Sequence, residues 1–112
     1  MKKIALPAEN GILCAHFGHC QNFFIYDIDE NNIVINESII NPPAHEPGAY
    51  PAWLAQYNVS DIIAGGIGQK AIDLFNQSKI NVHVGAPAKE PKKLVQDFLA
   101  GNLSTNANLC DH

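Results

Sequence analysis

A chain of 112 residues, 46% of them hydrophobic, is the size of a single domain and can bury one ordinary core without disulfide or metal staples. Seven lysines, no arginine and eleven acidic residues leave a net charge of −4. That balance excludes the basic stripe of a nucleic-acid binder and argues against bidentate recognition of phosphate or carboxylate by arginine.

The start, MKKIALPAENG, meets a proline too early for a signal-peptide core, and no run approaches the ~18 apolar residues of a membrane span. The expectation is a soluble, cytoplasmic protein. Three cysteines cannot close a full disulfide set, so in a reducing compartment packing, metal binding or redox chemistry must account for them.

KKIALP reads as a buried first strand, and ENGILCAHFGHCQ as a loop with glycines at 11 and 18. NFFIYDID and NIVINESII, rich in β-branched and aromatic residues around a polar turn at 29–32, predict an antiparallel hairpin. NPPAHEPG is a stiff connection with three prolines. The period then changes. Helices are predicted near 49–57, 67–77 and 90–100, the last with Pro91 in its first turn and Gly101 at its stop. Between them VSDIIAGG and INVHVGA read as strands. The order β-β-β-α-β-α-β-α gives a mixed five-stranded sheet flanked by helices. The second half supplies parallel strands through right-handed crossovers, and the hairpin supplies an antiparallel side. Trp53, Phe75 and Phe98 are expected to be largely buried where helices meet the sheet. LSTNANLCDH has little apolar content and is expected to be a flexible tail over 104–112, carrying Cys110 and His112.

Several chemistries can be weighed from the residues. GIGQKA fits G-x-G-x-x-A between a strand and a helix, but the next strand ends in glycine where a dinucleotide site wants an acidic residue. An anion or a negatively charged cluster on Gly65, Gly66 and Gly68 suits that turn better, with a sharp turn and no ligand as the plain alternative. Asp27, Asp29 and Asp61 are the carboxylates a metal-dependent nuclease would need. Asp29 belongs to a turn and Asp61 opens its strand, so solvated or capping roles are expected. Ser38, Ser60 and Ser78 occupy no nucleophile elbow.

Cys14, His16, His19 and Cys20 lie on the loop after the first strand. Thiolate and imidazole are ligands for soft metals, and iron–sulfur clusters use cysteine. The C-x5-C spacing is neither a zinc-ribbon knuckle nor a thioredoxin-type pair, which makes zinc the weaker candidate. A lone cysteine is usually a small buried hydrophobe, but two of them flanking AHFGH, with CDH at the tail, favour metal or cluster ligation. In an open α/β sheet, ligands bind beyond the carboxyl ends of parallel strands, where this loop and Gly65–Gly68 should both open. Cys110 and His112 are within reach too, since residues 101 to 110 can stretch about 30 Å.

The pieces KIALP with ENG, HFGHCQNFFIYDID, NPPAHEPG, IIAGGIGQKAIDLF and INVHVGA, in this order over residues 1–103, resemble the dinitrogenase iron–molybdenum cofactor biosynthesis family, in a cysteine-rich subgroup. The resemblance implies a ribonuclease-H-like mixed sheet. It also implies non-catalytic binding or carriage of an iron- and molybdenum-containing or other metal–sulfur cluster, or its precursor. The family's motif histidine corresponds to His16, beside Phe17 and Gly18, and its glycine turn to Gly65, Gly66 and Gly68. Where relatives often carry serine two residues before the histidine, Cys14 stands here. The partners implied are the cluster and its donor or acceptor proteins, with no nucleic acid and no membrane, in a monomer or weak homodimer. A metal- or thiol-dependent redox enzyme using the same residues is the competing reading, and a partner-binding module with incidental cysteines is another.

Overall fold

The computed structural model describes residues 2–14, 21–41 and 49–101. Strand β1, Lys2–Glu9, is buried from Ile4 to Ala8, the continuous run of a strand covered on both faces. It turns at Asn10 and Gly11, both at positive φ, into a two-residue strand β2, Ile12–Leu13. Ala8 pairs with Leu13 and Glu9 with Ile12. Asn-Gly with φ above zero at both positions is the signature of a tight hairpin, so the segment read as a loop opens with a hairpin. The sheet accordingly has six strands rather than five.

Strands β3, Asn22–Ile28, and β4, Val34–Ile40, form the expected antiparallel hairpin. Its turn is fastened by Asp29, whose Oδ1 accepts the N–H groups of Asn31 (2.8 Å) and Ile33 (2.9 Å). Helix α1 covers Ala49–Ala55, β5 Asp61–Ile63, α2 Gln69–Gln77, β6 Asn81–His83 and α3 Pro91–Leu99. The order across the sheet is β4-β3-β1-β5-β6, with β2 paired to β1 off this path. β5 and β6 are parallel, as the alternation of strand and helix in the second half requires, and β1 runs parallel to β5. Pro91 opens α3, and Gly101 at φ 77 closes it, its N–H donating to the Phe98 carbonyl.

Side-chain alternation divides the core into two layers. Ala5, Phe23, Ile25, Ile62 and Ala64 face Leu54 of α1 and Phe75 of α2. Ile4, Leu6, Tyr26, Ile28 and Ile63 face Leu94 and Val95 of α3. Phe75 is fully buried, but Trp53 and Phe98 are only half-buried, which corrects the expectation for those two. Trp53 sets its edge against Phe23 (5.4 Å between centroids) at the margin of the layer, and Phe98 shares its ring with His83 (4.7 Å) near the end of α3.

Tyr26 is buried, and its hydroxyl, beside the Glu37 carboxylate, closes no hydrogen bond of good geometry among the described residues. Burial first, then the neighbouring Glu37 carboxylate, holds that hydroxyl above the ordinary tyrosine range, so it stays protonated. Removing an unsatisfied buried group costs little. Tyr26→Phe is therefore expected to melt at or slightly above the wild-type temperature; a loss of more than about 1 kcal/mol in urea unfolding would show that the hydroxyl has a partner.

Candidate functional site

The carboxyl ends of β1 and β5 lie side by side, because these parallel neighbours pair Ile4 with Asp61 and Ala5 with Ile62. Beyond β5 the chain runs through Ala64 to Gly68 and enters α2. Gly65 and Gly66 are buried and Gly68 is half-buried. One side of this turn is fixed by the loop after β6: Gly85 N–H donates to the Gly65 carbonyl (3.0 Å) and Ala86 N–H to the Ala64 carbonyl (3.2 Å).

The N–H groups of Gly65, Gly66 and Gly68 donate to no acceptor among the described residues. Gly68 is the N-cap of α2 and offers no side chain to its first turn, which also holds no acidic residue. A Cβ built on Gly68 would meet nothing within 4 Å. Among the described residues, Gly65, Gly66 and Gly68 thus offer donors without acceptors at the positive end of a helix, with nothing against the open side of Gly68. Such an arrangement favours a negatively charged occupant.

Both ends of the cysteine- and histidine-bearing loop are tied to the same rim. Cys14 N–H donates to the Pro7 carbonyl (2.9 Å), and Gln21 N–H donates to the Ala8 carbonyl (2.9 Å). Gln21 also braces the turn from the side, its Oε1 accepting the Asn10 N–H (3.0 Å). Cys14 is buried at the root of the loop. His16, Phe17, Gly18, His19, Cys20, Cys110 and His112 lie outside the described residues, as does the three-proline connection. Asn22, where the loop rejoins the sheet, has its side-chain oxygen buried with no hydrogen bond among the described residues. The sequence reading passed over it, since a polar residue opening a strand carries no signal of its own.

Asp61 is the other surprise. It is not solvated but 4% exposed, and it accepts hydrogen bonds from Ser60 Oγ (2.7 Å) and Asn81 Nδ2 (3.4 Å) and lies 3.3 Å from His83 Nε2. Burial alone would raise its carboxyl; the bonds from His83, Ser60 and Asn81 outweigh that and hold it below the usual aspartate value. The pairing of Asp61 with Asn81 and Ile63 with His83 puts Asp61 and His83 two positions apart on one face of neighbouring strands. Two lone polar residues in successive apolar strands, SDIIA and NVHV, were the available signal. Asp27 bonds Asn36 and Lys3, and Asp29 its own turn, so the three carboxylates do not converge and no nuclease centre forms from them.

The family model for the dinitrogenase iron-molybdenum cofactor matches residues 1–101. The chain belongs to that family. An uncharacterized protein of Methanocaldococcus jannaschii, MJ0580, is 38% identical over 108 residues, covering 92% of this chain and 90% of its own. Among solved structures, PH0822 superposes with a TM-score of 0.86 at 27% identity, over 94% of this chain and 95% of the other. The apo form of the orange protein from Desulfovibrio gigas has the same fold, with a TM-score of 0.77 at 22% identity over 96% and 95% of the two chains. Membership in the iron-molybdenum cofactor family gives the chain a cluster-related accessory role. Among the described residues, no helix is long and apolar enough to cross a membrane.

Proposed function

We propose that the protein binds and carries, without turning over, a metal–sulfur cluster or its precursor, and delivers it to an acceptor protein. One observation carries this reading: the N–H groups of Gly65, Gly66 and Gly68, which donate to no acceptor among the described residues, lie at the rim where both ends of the Cys14–Cys20 loop are anchored. An anionic cluster is suited to both halves of such a site. Its sulfides or oxo groups would accept from the glycine amides, while thiolate and imidazole satisfy its metals. In this reading Cys14, His16, His19 and Cys20 supply the ligands, Phe17 and Gly18 shape the loop, and Cys110 and His112 close over the cargo from the tail. Iron with molybdenum is the cargo the family name suggests, and zinc suits the C-x5-C spacing less well. The ribonuclease-H-like label for the sheet and a cytoplasmic location belong to the same reading.

Anaerobic reconstitution with iron, sulfide and molybdate, followed by visible absorption and metal analysis, tests it. The Gly68→Asp variant separates binding from folding. Its carboxylate caps α2, which should raise stability by a few tenths of a kcal/mol, about 1–2 °C in Tm, while it repels an anionic cargo. His16→Ala should lose cargo with no change in the melt of the metal-free protein. Full loading of both variants, with wild-type rates of cargo loss to a chelator, would overturn the assignment.

A further inference from the structure

Strand β4 ends the sheet, and among the described residues no strand pairs with its outer row of backbone groups. Exposed edges are ordinarily blunted by charged side chains, lysine above all, by proline, by bulges, or by keeping the strand very short. β4 is seven residues long and contains neither lysine nor proline. Ile35 and Ile39 are 52% and 55% exposed along it. They stand two residues to either side of Glu37, the strand's single charge, and alternate with Asn36 and Ser38, whose side chains bond each other (3.5 Å). The register shift against β3 falls between Asp27 and Ile28, so Asn36–Ile40 is regular.

We propose that β4 is the seam of a homodimer, pairing antiparallel with β4 of a second copy about a twofold axis through Glu37. The occupant follows from self-complementarity. That register sets Ile35 opposite Ile39 of the second copy, twice, and Asn36 opposite Ser38. Centring on Asn36 instead opposes Glu37 to Ile35 twice and leaves Ile39 to Ile33, which precedes the strand; centring on Ser38 opposes Glu37 to Ile39 twice and leaves Ile35 to Asn41. Cross-strand apolar pairs stabilise and like charges directly opposite destabilise. Glu37, which lies across from Tyr26 on β3, therefore limits the association by meeting its own copy. A single-strand seam is also small, below the roughly 1,200 Å² of a stable interface, so the dimer is weak and concentration-dependent.

Sedimentation velocity on the full chain from about 10 µM to about 1 mM, a range set by the weak affinity, reads the outcome, with circular dichroism to check each variant's fold. The wild type should move toward dimer across this range. Glu37→Gln should lower the midpoint concentration about threefold and Ile39→Lys raise it at least about tenfold, the size of one or two cross-strand terms. An equimolar mixture of wild type and Glu37→Lys should form the mixed dimer in preference to either homodimer. A wild type that stays monomeric overturns the proposal and leaves the strip to a different occupant. Association by Ile39→Lys equal to wild type, or a weaker dimer in Glu37→Gln, overturns the seam or its register.

Discussion

Phe75→Ala is expected to cost about 3–5 kcal/mol, the usual range for truncating a fully buried aromatic. Phe75 sits where three elements meet. Its ring belongs to the layer formed by Leu54 of α1, Ile62 of β5, Ile67 and Ile80, and none of its surface is exposed. Its carbonyl also accepts the N–H groups of Ser78 and Ile80, which turn the chain from α2 into β6. The neighbours cannot close the void without moving the sheet, so the loss is transfer energy plus cavity. For a domain near 110 residues, this corresponds to a fall in Tm of roughly 12–20 °C. Phe98→Ala, at a half-buried position, should cost clearly less. Thermal and urea melts of the metal-free protein decide the point; a Phe75→Ala protein that melts within about 3 °C of wild type, less than one kcal/mol, would show that the packing is misassigned.

Asp61→Ala is expected to cost about 2–4 kcal/mol at neutral pH, because it removes the acceptor of several hydrogen bonds to a buried carboxylate and leaves their donors in place. Ser60 would keep the Lys3 carbonyl, 3.1 Å from its hydroxyl, but Asn81 and His83 would lose the partner they share. The pH dependence has a definite sign. Asp61 titrates below its ordinary value in the folded protein, so its contribution is complete above the unfolded value near 3.9 and is lost as pH falls through the folded value. The stability difference between wild type and Asp61→Ala should therefore shrink as pH falls below about 4. Urea melts at each pH measure it. A difference that grows in acid would mean that the carboxyl is raised rather than lowered.

The order of strands and helices was legible because the hydrophobic period switches from two to 3.6 after the hairpin, and because Pro91 and Gly101 punctuate the last helix. Parallel β5 and β6 followed from the alternation of strand and helix in the second half, since an intervening helix carries the chain back to the same end of the sheet. The short β2 hairpin was also written locally, in Asn10–Gly11, but its two apolar residues are too few to show a period. Gly65, Gly66 and Gly68 were legible as a special turn, since glycine between a strand and a helix marks a close approach to backbone.

Other properties belong to the tertiary structure alone. Asp61 and His83 are 22 residues apart, and only the register of two parallel strands puts them on one face; burial then makes their hydrogen bonds worth more than the desolvation of the carboxylate. Trp53 and Phe98 look as buried as Phe75 in any periodic reading. Which aromatic reaches the centre of a layer depends on where each helix ends over the sheet. Likewise, Ile35 and Ile39 belong to an alternating strand, and they are exposed where β4 ends the sheet. Composition and local period determine which residues can form a face, but the order of strands, a long-range property, decides which faces are covered.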